Sequence, residues 1–133
     1  QRRDVLAHSN PPRLTAFIIE NALREPIGGH AVMGEQLRFI ERMSWQDNVM
    51  VRVIRSGARE LHPAHVGPFV LFEFPKAAPV VHLEHYSASD FLYGARNVQA
   101  FDQARTALDN VALDEACSRE LIVACAEEME ERA

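Results

Sequence analysis

The residues of this chain best suited to chemistry are its histidines and the carboxylates near them. Two pairs stand three apart, His62 with His65 and His82 with His85, and such pairs invite a metal reading. His82 and His85 fall in a β-rich run, where residues three apart point to opposite faces and cannot easily share an ion. His62 and His65 fall in a proline-containing loop, where the helical spacing of a zinc site is missing. No metal and no cofactor is expected. Glu73, His82 and Glu84 could form an acid–base cluster if two β-rich runs close into a hairpin, because a carboxylate beside a histidine favours its protonated form. The plainer reading of that trio is a cross-strand contact. Ser44, Ser56, Ser87 and Ser89 lack a Gly-x-Ser-x-Gly setting. Gly28-Gly29 lacks the Gly-Lys-Ser/Thr ending of a phosphate loop. No catalytic residue is assigned, and a binding role is expected in place of an enzymatic one; a Glu/His hydrolase is the weaker alternative.

Elements must position these side chains. Leu14–Glu20 is a β-rich run of strand length, and Glu25-Pro26-Ile27-Gly28-Gly29 punctuates the chain after it. From Ala31 to Met43, Met33, Leu37 and Ile40 recur at i, i+4 and i+7, which predicts an amphipathic helix. Val49–Ile54 predicts a strand with its valines on one face. Arg55–Pro68 has no periodicity and is long enough to suspect a role. Phe69–Phe74 and Val80–His85 predict a hairpin, with Val70, Phe72 and Phe74 on one face, Val81 and Leu83 toward the core, and His82 across from Glu73. A helix carrying Val98, Phe101, Arg105 and Leu108 comes next, and Asp114 is suited to cap a last helix from Glu115 to about Met129. The acids from Glu127 to Glu131 read as a solvated end. The order β-α-β-β-β-α-α predicts an α/β or α+β fold, with one four-stranded mixed sheet covered by helices.

Composition bounds the rest. The chain has 133 residues, 47% of them hydrophobic and 25% charged, as in a packed domain. A single domain over residues 1–133 is expected, with residues 1–10 as the tail of a linker helix. No apolar run approaches the roughly 20 residues of a membrane span, and no secretory leader is read at the start. Cys117 and Cys125 share one helical pattern about 12 Å apart, too far to bridge. Reduced thiols and a cytoplasmic setting are expected. Residues 1–76 carry ten Lys/Arg against eight Asp/Glu, a net +2; residues 77–133 carry four against eleven, a net −7. Such an acidic half repels a phosphate backbone, so direct binding to nucleic acid is not expected.

Several segments resemble a known bacterial domain of unknown function. Pro12-Arg13-Leu14 and Ala22-Leu23-Arg24-Glu25-Pro26-Ile27-Gly28-Gly29 are similar to its "PRL … ALRRPVGG" opening. Val32-Met33 with Glu35-Gln36-Leu37 and Asn48–Val53 are similar to its following helix and strand. His62-Pro63 with Gly67-Pro68-Phe69 resembles its loop, and Leu71–Pro75, Val80-Val81 and Glu84-His85 its hairpin. Glu120-Leu121-Ile122 after Asp114 resembles its last helix. The sequence departs from the pattern at Glu25, at His82 and over residues 90–94. The family is the C-terminal domain of XRE-type (Cro/repressor-like) helix-turn-helix transcription regulators, described as antitoxin-like or WhiJ-like.

The resemblance implies a regulatory domain that reaches DNA only through a helix-turn-helix part lying before this chain. It implies a small partner protein encoded nearby, in a toxin–antitoxin-like arrangement, with no enzyme activity and no assigned ligand; an unidentified small effector is the alternative expected beside that partner. The residues expected to meet that ligand or partner are His62, His65 and Phe69 in the loop, Glu73, His82 and Glu84 on the strand face, and Tyr86 and Tyr93 at its edge. A purely structural homodimerisation domain is the other reading; exposed apolar surface around Trp45 or the terminal helices would favour it.

Overall fold

Two short sheets form where the sequence predicts one. The computed structural model describes residues 2–57 and 59–133, and the chain divides into two units, Gln1–Gly57 with Ala112–Ala133, and Ala58–Val111. Gln1, and with it the start of the expected linker-helix tail, lies outside the described residues. Arg2–Ala7, the next six residues of that tail, form a 3₁₀ helix.

In the first unit, strand β1 (Leu14–Ile19) runs parallel to β2 (Val49–Ile54), in register from Leu14 opposite Val49 to Ile19 opposite Ile54. The crossover between them contains helix α1 (Glu20–Arg24), which the sequence reading missed, and helix α2 (His30–Met43). Gly28 and Gly29 sit at φ of 80° and 97°, so the turn into α2 needs residues that tolerate the left-handed region. Val49, Val51 and Val53 are buried along β2 as their alternation predicts. Helix α4 (Glu115–Glu131) opens on Asp114, whose carboxylate accepts the Cys117 N–H at 2.8 Å. It buries Ser118, Ile122, Cys125, Ala126 and Met129, one stripe at helical spacing, against Met33 and Leu37 of α2 and the β2 valines.

The single four-stranded sheet is corrected by the edge of β2. In a parallel strand a residue's N–H and C=O point the same way, and those of Val53 turn away from β1. Its carbonyl accepts the Leu113 N–H at 2.9 Å and its N–H is received by Ser118 Oγ at 2.9 Å. The start of α4 thus occupies the ladder positions that a third strand would need. The acidic end of α4 is also not merely solvated: Arg38 pairs with Glu130 at 2.8 Å and Arg24 with Glu128 at 2.9 Å.

The second unit holds an antiparallel sheet in the order β3 (Phe69–Phe72), β4 (Val80–Glu84), β5 (Ser89–Leu92), followed by helix α3 (Ala95–Val111). Strand β5 was not foreseen; Ser89, Asp90 and Phe91 along it are exposed, so it shows little apolar periodicity. The β3–β4 register places His82 across from Val70, not Glu73. The ladder ends at Phe72 opposite Val80, which leaves Glu73 in the connection with Pro75 and Pro79. Proline cannot donate to a ladder, and the connection is correspondingly long. The facing of β3 is likewise the reverse of the expectation: Phe69 and Leu71 turn inward, while Val70 and Phe72 are exposed; on β4, Val81 is buried as expected.

Candidate functional site

The loop before β3 builds one side of a concave feature in the second unit. Pro63 forces the residue before it out of the helical region, and His62 accordingly adopts φ −128°, ψ 162°. Pro63–His65 then make one 3₁₀ turn. The His62 N–H donates to His65 Nδ1 at 3.1 Å, and the His65 N–H donates to the His62 carbonyl at 3.0 Å. These bonds hold the two rings together, with centroids 3.8 Å apart.

Between this loop, β3, β4 and α3 lies a cavity of about 490 Å³, within the range of about 300–1,000 Å³ usual for small-molecule sites. Leu61, His62 and Val66 supply the loop side, Phe69 and Leu83 the sheet side, and Ala100, Phe101 and Ala104 the helix side. His85, an exposed residue, also lines it. Phe69 and Phe101 meet edge to face, with centroids 5.0 Å apart. No lining residue carries a carboxylate, ammonium or guanidinium group.

His62 is 8% exposed. Burial pushes its imidazole below the usual histidine range, with the neighbouring His65 adding to the effect. Its Nδ1 is shielded, and among the described residues only the His65 N–H is set against it, too poorly aimed to count as a full hydrogen bond. The His65 N–H that faces the ring, as in a helix cap, is already given to the His62 carbonyl.

The expected site residues do not converge on one place. His62 and Phe69 line the cavity, and His65 stacks on His62 from an exposed position. Glu73 is exposed beyond the end of β3; His82 packs on Phe91 with centroids 4.6 Å apart; Glu84 pairs with Ser89 at the end of β4. The proposed Glu73–His82 pairing is therefore absent from the ladder. Tyr86 and Tyr93 are both exposed. Leu61, Leu83, His85, Ala100, Phe101 and Ala104 were missed as lining residues. Ala100 and Ala104, one turn apart beside Phe101, were the available signal, because two small residues on one helix face leave room for a ligand. Among the described residues, no group of three or more His, Cys, Asp or Glu is placed to hold a metal ion.

Fold and site together define an α+β protein of two small units, one of them carrying an apolar cavity. Residues 1–124 match the family described as Domain of unknown function (DUF5753), and the chain belongs to that family. No curated protein and no solved structure matches the chain. Among the described residues, no helix is long and apolar enough to cross a membrane.

Proposed function

We propose that this chain is the effector-binding regulatory domain of a DNA-binding transcription regulator, with the apolar cavity of the second unit as the effector site. The observation that carries the reading is the cavity itself: a concavity of small-molecule size, lined by side chains from a loop, two strands and a helix. The motif resemblance supplies the regulatory context, and the net −7 charge of residues 77–133 supports assigning DNA contact to a different part of the protein. An effector would act by binding two states of the whole regulator unequally. Ala104→Trp in the full-length regulator would fill the cavity and imitate the bound state. Operator affinity, read by fluorescence anisotropy, is expected to shift by about fivefold, inside the usual range of coupling. An operator affinity unmoved by the filled cavity, in a variant with native circular dichroism, would count against the reading.

A specific observation also supports a protein partner, either a small protein encoded nearby or a second copy. Val70, Phe72, Phe74, Phe91 and Tyr93 are all exposed on or beside the second sheet, and grouped exposed apolar residues mark interaction surfaces. Trp45 is 69% exposed as well, though Arg119 covers one side of its ring at 4.1 Å. Sedimentation of the chain against Phe72→Asp separates the two partners. A wild-type dimer lost in the variant assigns the face to a second copy, and a wild-type monomer leaves it to a different protein.

A further inference from the structure

We infer that the face of the second sheet turned away from α3 packs on the same face of a second copy of this chain, with the strands of the two sheets antiparallel across a two-fold axis. This rests on the reading of that face as a protein-partner surface, and it names the partner. The ladder sets the composition of the face. Val70, His82 and Phe91 stand in one cross-strand row, and Phe72 stands beside Val80 in the next. Tyr93 follows β5 at the Val80 end, and Phe74 extends the face beyond β3, its ring stacked with Phe72 at 6.5 Å. Phe69, Leu71, Val81 and Leu83 alternate with these onto the opposite face, where Phe69 meets Phe101 of α3. A sheet that is apolar on both faces belongs between two layers, and α3 supplies one of them.

Charge and area make the other layer a second copy. Among the described residues, Glu84 is the one carboxylate on this face of the ladder, and it stands opposite Ser89 at one end. Lys76 is exposed in the connection at the other end, beyond Phe72 and Val80. Glu73 follows the alternation to the α3 side, where its charge acts on Arg105, and Asp90, paired with Leu83, belongs to that side as well. The Glu84 and Val80 positions are about 13 Å apart along β4, beyond the roughly 8 Å screening length at physiological salt, so each end acts by itself. Antiparallel stacking about a two-fold axis lays the Glu84 end of each copy over the Lys76 end of the other, twice per dimer. Parallel stacking would set like charge on like. Phe72, Phe74, Phe91 and Tyr93 are between 42% and 65% exposed. With Val70 they offer on the order of 500 Å², about what each partner gives up in the smallest specific interfaces.

Sedimentation equilibrium of the 133-residue chain at low salt tests the inference. The wild type is expected to dimerise, and Phe72→Asp to weaken the dimer by about tenfold or more, as removal of a central aromatic anchor does. Glu84→Lys and Lys76→Glu should each weaken it about tenfold by bringing like charges together at both contacts. Mixed in equal amounts, the two reversed chains place opposite charges at both contacts again, and a heterodimer about as tight as the wild-type dimer is expected. A merely structural role for either residue would not give that rescue, and both positions are exposed, so the variants should keep native circular dichroism. A mixture that associates no more tightly than either variant alone would overturn the antiparallel arrangement. A monomeric wild type would overturn the second copy and leave the face to a different protein. A wild-type dimer that Phe72→Asp does not disturb would overturn the reading of the face as well.

Discussion

The rings of His62 and His65 lie with centroids 3.8 Å apart and planes 32° from parallel, one ring buried and the other exposed. A proton placed on both brings two like charges together at the wall of an apolar cavity, and burial already disfavours the charged form of His62.

The first prediction concerns pH. The folded protein holds His62 below its ordinary value, so between the folded and unfolded values the unfolded chain binds more protons. Stability from this group is full above about pH 6.5 and is lost as pH falls through the lowered folded value. Urea midpoints for the second unit should therefore be lower at pH 5.5 than at pH 7.5. His62→Phe should shrink that difference. A proton titration of the His62 ring by NMR that gave an ordinary or raised value would refute the assignment.

The second prediction concerns a buried carboxylate. Glu20 accepts the Ser56 N–H at 2.9 Å and Arg24 Nη2 and Nε at 3.0 and 3.1 Å. The Ser56 backbone bond is the largest cause holding its carboxyl below the usual range; burial opposes it and Arg24 assists it. The contribution is present above about pH 4.3 and is lost as pH falls through the lowered value. Glu20→Gln keeps the shape and removes the charge, and it should cost about 2 kcal/mol at pH 7, typical of hydrogen bonds to a charged group. Denaturant midpoints measured from pH 7 to pH 3 should converge for variant and wild type at the acid end.

Legibility tracked the strength of the local pattern. Met33 and Leu37 on α2, Val49, Val51 and Val53 on β2, and the Asp114 cap were readable because periodicity and capping are local signals. The division into two sheets was not readable, because it depends on Leu113 and Ser118 reaching Val53 from about sixty residues away. The hairpin register slipped by three residues because symmetrical closure ignored the prolines at 75 and 79, and an odd slip turns one strand's face over relative to the other. That slip carried Glu73 toward His82 in expectation and turned the face of β3, while Val81 and Leu83 on β4 were placed toward the core correctly. Half of the cavity was visible as the His62–Phe69 loop. The other half, from Ala100 to Ala104, reads in isolation as one more helix face.

The third prediction concerns Gly34, buried within α2. A Cβ added there would meet Met129 Cβ and Glu130 Cγ, each at 3.6 Å, which is ordinary van der Waals contact. Alanine is therefore accommodated, and it removes the entropic cost of a mid-helix glycine, about 0.5–1 kcal/mol. Gly34→Ala should raise the midpoint of thermal unfolding by about 2–5 °C. Gly34→Leu should lower it by driving a branched side chain into α4. A lowered midpoint for the alanine variant would show that α2 and α4 pack more tightly than these distances allow.

The fourth prediction concerns the hydrogen bond that ends the first sheet. Ser118 is fully shielded from water, and its Oγ takes the Val53 N–H at 2.9 Å while lying 3.5 Å from the Leu113 carbonyl. Ser118→Ala removes the acceptor and leaves a buried backbone N–H that water cannot reach, a defect worth about 1–3 kcal/mol. The loss should be local as well as global. Exchange of the Val53 amide should accelerate more than that of amides bonded between β1 and β2, because its partner alone has been deleted. Ser118→Cys keeps the size and a weak acceptor and should fall between wild type and alanine. If the alanine variant unfolds within about 0.5 kcal/mol of wild type and Val53 exchange is unchanged, the serine is only filling space, and the edge of β2 is closed by the Leu113–Val53 bond alone.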